Sequence, residues 1–146
     1  MQDAIADGDL DMCRALIDCG VDPDGAMEMT TQHGRQILVP PLAFACQLGH
    51  EHIALLLINE GCDVNSLDSR GYSPLLRACQ MGMGDTVKLL LDKGADVNKA
   101  ATTGGATPLF VASENGHVKV VKTLLDVPGI DVNKTTTDGT TPLFAA

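Results

Sequence analysis

The sequence predicts an all-α fold, in which short helix-turn-helix units stack into an open α-solenoid with hairpin-like turns projecting from one edge. Two observations predict it. A pattern of about 33 residues recurs along the 146-residue chain, and periods of roughly 20–50 residues are typical of solenoids and other arrays. The chain is 45% hydrophobic but only 3% aromatic. A core of Ala, Val, Leu and Ile suits thin, closely stacked layers, whereas a compact globule relies on large rings to fill its centre.

Four glycine-led segments carry the period. They begin at Gly8, Gly49, Gly82 and Gly116. The last two steps are 33 and 34 residues, and the first is 41, one unit plus about eight extra residues. A second block precedes the glycine in the later copies, as PPLAFACQLG, SPLLRACQMG and TPLFVASENG, and a partial copy, TTPLFAA, stands at the end.

Each unit is interpreted as two short helices. A Ser or Thr before a proline, as at Ser73, Thr107 and Thr141, suits a helix N-cap followed by the first helical position. Glycine ends this helix, since it adopts a left-handed conformation at little cost. Apolar residues at helical spacing then predict second helices over 51–59, 84–92 and 118–126. Helices this short are unstable alone, so each unit must bury its apolar face against the next.

This pattern resembles the ankyrin repeat over residues 4–146, nearly the whole chain. The resemblance implies an L-shaped repeat and a concave surface lined by the turns and the first helices. The chain departs from the family pattern after TPL, where a histidine is usual and where it has Ala43, Leu76, Phe110 and Phe144. Apolar contact must therefore replace the hydrogen bonds that this histidine normally supports.

The length fits a single domain, 1–146. We divide it into a partial first repeat (1–24), an insertion loop (25–39), a second repeat (40–65), a third (66–98), a fourth (99–133) and a truncated fifth (134–146). The insertion is either a finger that reaches past the neighbouring turns or a loop without a role. Because a stack needs polar terminal repeats and the last copy is cut, we expect a piece of a longer array or a larger protein.

Composition argues against several function classes. The net charge is −9 and the ten Lys and Arg residues are scattered, so we expect no binding to nucleic acid. The longest apolar run, 53–58, is far short of the ~20 residues of a membrane helix, and the acidic N-terminus does not resemble a secretory signal. Five cysteines without a CxxC pair favour a reduced, intracellular setting, cytoplasmic or nuclear.

No motif points to catalysis, to a cofactor or to a metal. Cys46 and Cys79 stand at the same repeat position, which predicts buried thiols about 10 Å apart, too far for a disulfide. His50 and His52 do not share a helix face, and zinc-ligand spacing is missing. Neither a phosphate-binding loop nor a nucleophile elbow occurs. We therefore expect a protein without enzymatic activity and without a cofactor.

Partner recognition must use exposed positions, because a stack fixes its internal residues. By resemblance, these positions lie in the turns and at the groove-facing ends of the first helices. Leu48, Leu67, Tyr72 and Met81 are predicted to form an apolar cluster there, since Tyr is enriched at hot spots and Met adapts to irregular surfaces. The candidate partner-binding residues are Leu48, Leu67, Ser69, Arg70, Tyr72, Gln80, Met81, Thr103, Glu114, Asn115 and Asp138. The alternative is that they are scattered surface residues without a role.

Two functions follow. The first is a monomeric protein-interaction module, a scaffold or targeting arm, that binds a protein partner through the concave face and the turn tips. The second is a regulatory or spacer domain of a larger enzyme or channel, with catalysis outside these residues. The fold alone does not identify the partner.

Overall fold

The computed structural model describes residues 1–18, 22–30 and 36–146. Its helices come in pairs, as the repeat predicts. The helices are α1 (Gln2–Ala6), α2 (Leu10–Asp18), α3 (Pro41–Leu48), α4 (Glu51–Asn59), α5 (Pro74–Met81), α6 (Gly84–Asp92), α7 (Pro108–Glu114), α8 (Val118–Leu125) and α9 (Pro142–Ala145). Among the residues that the structure describes, none of these helices is long and apolar enough to cross a membrane.

The helices form two layers. In one layer α1, α3, α5, α7 and α9 pack in succession, and in the other α2, α4, α6 and α8 do the same. Within each unit the two helices also pack on each other, as α5 does on α6. The predicted all-α repeat solenoid is confirmed. Its core runs along the stack, with Leu57, Leu75 and Leu90 fully buried.

Side-chain caps start the first helices where the sequence predicts them. The hydroxyls of Ser73, Thr107 and Thr141 each accept a hydrogen bond from the backbone N–H three residues on, at 3.2 to 3.3 Å. Pro40 takes the equivalent position before α3 with the same extended backbone, but it provides no side-chain cap. The cap therefore fixes the entry of the chain into α5, α7 and α9, and α3 begins without one.

Gly82 ends α5 and shows why glycine recurs between the two helices of a unit. Its φ is +71°, a conformation that side chains disfavour. A Cβ at Gly82 would also lie 2.7 Å from Nδ1 of His117 in the next unit. The ring of His117 fills this space, and its Nε2 lies 3.0 Å from the carbonyl oxygen of Gln80. Glycine thus permits both the reversal of the chain and close stacking.

Hydrogen bonds between successive turns explain the periodic Asp and Asn residues. The sequence Asp-Val-Asn recurs at 63–65, 96–98 and 131–133, and in each case a side-chain oxygen of the preceding turn accepts from the backbone N–H of its Asp. The pairs, acceptor first, are Asp24–Asp63 at 2.9 Å, Asn65–Asp96 at 3.3 Å and Asn98–Asp131 at 2.8 Å. These residues therefore hold neighbouring repeats in register, as expected of residues that follow the period.

The segment predicted as an insertion loop, 25–39, contains strands. β1 (Met27–Thr30) pairs antiparallel with β2 (Gln36–Val39), and Met27 faces Val39 in the register. Both of these side chains are buried in the core. Residues 31–35 of the insertion, like residues 19–21 of the first repeat, lie outside the described residues. The base of the insertion is thus part of the packed structure.

At the position where the family has histidine, apolar packing replaces the hydrogen-bonding ring. Ala43 and Leu76 are buried, and Phe110 is half-buried. Phe144 stands on α9, the last helix described, and is 83% exposed. The expectation that apolar contact takes over from hydrogen bonding therefore holds inside the stack.

Candidate protein-binding surface

Most of the predicted site residues lie at the surface. Ser69, Arg70, Thr103, Glu114, Asn115 and Asp138 are exposed, and Tyr72 and Gln80 are half-buried. Among the apolar candidates, Leu48 and Leu67 are each 38% exposed and Met81 is 46% exposed. We call the ends of α3, α5 and α7, together with the turns that precede α5, α7 and α9, the turn-and-helix face.

The predicted apolar cluster is brought together only in part. Leu48 and Met81 end α3 and α5, which pack on each other, and the methyl carbon of Met81 approaches Gly49, the neighbour of Leu48 (3.1 Å from a Cβ placed there). Leu67 instead lines a shallow depression with Asn65, Asp96 and Lys99. Leu48 and Met81 thus lie at the ends of two packed helices, and we call this pair of exposed apolar residues in the second and third repeats the apolar step.

A buried ion pair that the repeat pattern does not predict connects the turn before α5 to that helix. Nη2 and Nε of Arg77 donate to Oδ2 of Asp68 at 2.6 and 3.0 Å. The two side chains are only 8% and 5% exposed. The other carboxylate oxygen of Asp68 accepts from the backbone N–H groups of Arg70 and Tyr72, both at 2.9 Å. Asp68 therefore closes the turn and neutralises Arg77 at once.

Two candidate residues complete this network. The guanidinium carbon of Arg77 lies 4.2 Å from the centroid of the Tyr72 ring, within the range of a cation–π interaction. Nη1 of Arg77 also donates to Oε1 of Gln80 at 3.2 Å. Tyr72 and Gln80 are thus held in place by a residue that was not among the candidates.

A comparison of the repeats contains the signal for this pair. The position of Asp68 is occupied by Thr102 and Thr136 in the later units, and the position of Arg77 by Asp3 in the first unit and by Phe44, Val111 and Ala145 in the second, fourth and fifth. Only the third unit carries a charge at both positions, and the two charges are opposite. Opposite departures from the period within one unit indicate a contact between the two side chains.

A small cavity of about 100 Å³ lies beside the ion pair. Val39 at the end of β2 and Phe44 of α3 contribute its apolar lining. Gln47 of α3 and Ser69 and Arg70 of the turn provide polar groups, and Asp68 and Arg77 complete the wall. The cavity thus joins the insertion, two first helices and one turn.

Two of the candidates in the later repeats make local hydrogen bonds. The hydroxyl of Thr136 hydrogen-bonds Asp138, and this bond is the main reason that the pKa of Asp138 is lowered. The side-chain N–H of Asn115 donates to the carbonyl of Val111 at 2.7 Å. Both residues therefore have a structural role in addition to their exposure.

The described cysteines are buried, free thiols. Burial raises the pKa of Cys46 to about 12, with a smaller contribution from Glu51. The pKa of Cys79 is also raised, first by burial and then by Cys46. Cys19 lies outside the described residues. In the described part of the chain, no group of three or more His, Cys, Asp or Glu side chains is arranged to hold a metal.

We expect Cys46 and Cys79 to resist modification by a thiol reagent in the native protein. The thiolate is the reactive species, and a pKa of about 12 leaves on the order of one thiol in ten thousand ionised at pH 8. Cysteine-resolved mass spectrometry after brief labelling, in buffer and in urea, measures this. Equal labelling of either residue in both solvents would contradict the prediction.

The same shift predicts how stability depends on pH. The pKa of the thiol is 9.0 in the unfolded chain, whereas burial raises that of native Cys46 to about 12, so the native thiol retains its proton to higher pH. Above about pH 9 the unfolded chain therefore binds fewer protons, and the free energy of unfolding falls as the pH rises. Below pH 9 these thiols add no pH dependence.

Comparisons with known proteins agree with the geometry. A family model described as ankyrin repeats in three copies matches residues 1–101, and a model of the single ankyrin repeat matches residues 104–137. A search of curated proteins found no match to the chain. Ankyrin repeats are generally protein–protein interaction modules and are typically non-enzymatic. With matches over most of its length and a stack of paired helices, this chain belongs to the ankyrin repeat family.

Proposed function

We propose that the chain binds a protein partner on its turn-and-helix face, and that the apolar step formed by Leu48 and Met81 is the centre of the contact. The observation that carries the proposal is the exposure of these side chains, 38% and 46%. The fourth repeat has exposed Asn115 at the equivalent position. Because a polar residue is accommodated there, stacking does not require an apolar one, and this supports a role for Leu48 and Met81 in binding.

Neighbouring residues support this proposal. Tyr72 and Arg70 lie in the turn before α5, and Tyr72 is held rigid by its stacking with Arg77. Interfaces gain most of their energy from a few well-packed residues, among which Tyr and Arg are enriched. A rigid aromatic ring loses little conformational entropy on binding. The apolar step would thus be flanked by a pre-organised aromatic residue.

We further propose that the protein acts as a monomer in a reducing compartment. Cys13, Cys46, Cys62 and Cys79 are buried and unpaired, an arrangement that suits a setting in which disulfides do not form. The scaffold or targeting role follows from the same interpretation, since the chain would bring its bound partner to another site.

The test replaces the apolar step with the residue that the fourth repeat uses. A partner is isolated from native extract with the wild-type chain, and its affinity is measured by calorimetry for Leu48→Asn/Met81→Asn. We expect a loss of at least about tenfold, since hot-spot substitutions cost about 2 kcal/mol or more and tenfold corresponds to about 1.4 kcal/mol. Leu125→Asn on α8 is the matched control, because Leu125 is also exposed (48%) but lies in the other helix layer. Equal affinities of the wild type and the double variant would refute the proposal.

A further inference from the structure

The residues that break the repeat pattern converge on one cavity. Asp68 and Arg77 form an oppositely charged pair that no other unit carries at these two positions, and Val39 belongs to the segment inserted into the second unit. Stacking does not explain these departures, because the other units stack without them. A buried ion pair also gives little net stability, since the loss of hydration offsets much of the attraction. The convergence therefore indicates a binding site.

The hydrogen-bonding groups of the cavity determine what it can hold. Asp68 accepts four hydrogen bonds, so its carboxylate has no capacity for a further donor. Arg77 uses three of its N–H groups in its bonds to Asp68 and Gln80, which leaves two of the five donors of a guanidinium. Arg70 is exposed, and it bonds Asp68 through its backbone N–H. Its guanidinium therefore adds a charge that this bond to Asp68 does not neutralise. The wall thus offers donors and a positive charge, which suit an anionic acceptor and disfavour a cation.

The volume of the cavity and the net charge of the chain limit further which ligand can bind. A volume of about 100 Å³ is well below the roughly 300–1,000 Å³ of a small-molecule site and accommodates about one side chain. The buried side chains of Val39 and Phe44 suit the methylene groups of that side chain. The net charge of −9 repels a partner segment with many acidic residues. The ligand is therefore a single carboxylate in a segment without further acidic residues.

We propose that this cavity takes one glutamate side chain of the bound partner, with its methylene groups against Phe44 and its carboxylate at Arg70 and Ser69. The inference rests on the proposed function, because the glutamate belongs to a protein docked on the adjacent turn-and-helix face. It adds the chemistry by which the partner is selected. Charge-assisted hydrogen bonds from Arg are strong and directional, so the contact favours Glu over its neutral isostere Gln.

The experiment uses a fragment and needs no partner. N-acetyl-glutamate N-methylamide is titrated into the ¹⁵N-labelled chain, with the glutamine analogue as the neutral control at the same ionic strength. We expect saturable shifts of the backbone amides of Ser69 and Arg70, with half-saturation at millimolar concentration and at least about fivefold weaker binding of the glutamine analogue. Equal responses to the two fragments, or no saturable shift at these amides, would overturn the proposal.

Two variants test whether Arg70 causes the preference for the glutamate fragment over the glutamine fragment. Arg70→Gln is expected to abolish the difference between the two fragments. Lys93→Gln, which removes an exposed charge at the end of α6, is expected to retain it. A preference that survives Arg70→Gln, or that is lost equally in both variants, would refute the assignment. Because the fragment test does not involve Leu48 or Met81, its failure leaves the evidence for protein binding unaffected, and an unchanged affinity of Leu48→Asn/Met81→Asn for the partner leaves the fragment result itself unchanged.

Discussion

Asp68→Thr is expected to lower the free energy of unfolding by about 3–5 kcal/mol, the usual cost of removing one partner of a buried ion pair. The substitution leaves the guanidinium of Arg77 buried without a counter-ion, since Asp68 takes its two closest hydrogen bonds. It does not remove the turn itself. In the fifth unit the hydroxyl of Thr136, at the equivalent position, accepts from the backbone N–H of Thr140 at 3.2 Å, as Asp68 does from that of Tyr72. The loss in free energy of unfolding therefore measures the cost of leaving the Arg77 guanidinium buried without a counter-ion.

The double variant Asp68→Thr/Arg77→Phe is the decisive control. It gives the third unit residue types that its neighbours use, since Thr136 closes a turn and Phe44 is buried at the position of Arg77. Replacing a whole buried ion pair by a well-packed apolar group is often neutral, so we expect most of the lost stability to return. Urea unfolding followed by circular dichroism measures both variants. A single variant as stable as the wild type, or a double variant no more stable than the single one, would contradict the prediction.

The fold could be predicted because each unit repeats the same local signals. Ser73, Thr107 and Thr141 cap helices, and Gly82 reverses the chain, where the sequence places them. The strands β1 and β2 could not be predicted in the same way. Neither one forms without the other, and their paired residues Met27 and Val39 are buried only because the hairpin packs into the core of the helix stack. Each strand has only four residues, MEMT and QILV, which is too short for its periodicity to separate a strand from a loop.

The candidate site likewise contains residues that the sequence predicts and contacts that it does not. Exposure at Leu48 and Met81 follows from their place in the repeat, so the sequence alone identified them. The contact of Asp68 with Arg77 depends on the turn folding back onto α5, and position 77 is apolar in the units that flank the third. The period therefore predicts a core residue at position 77. The charge of Arg77 indicates a contact only when it is considered together with the opposite charge of Asp68.

Gly71→Ala is expected to be nearly as costly as the loss of Asp68, for a different reason. Gly71 has a φ of +75°, which costs an alanine about 1–2 kcal/mol. Its Cβ would also overlap the hydroxyl oxygen of Thr102 and lie 2.5 Å from the Cβ of that residue, and such overpacking adds about 1–3 kcal/mol. Gly94→Ala is the matched control, since Gly94 has a φ of +87° and no heavy atom within 4 Å of a Cβ. Thermal unfolding of both variants separates backbone strain from steric overlap.

Thr102→Gly provides the second half of a double-mutant cycle. This exposed residue loses the atoms that the new Cβ would meet most closely, so Gly71→Ala should cost less in its presence, by about 1–3 kcal/mol if overpacking is the cause. The remaining cost should then approach that of Gly94→Ala, because only the positive φ is common to both positions. A coupling of zero would mean that the turns of the third and fourth repeats do not approach each other at Gly71. The turn that carries Ser69 and Arg70 would then not be held in place by a contact between Gly71 and Thr102 of the next repeat.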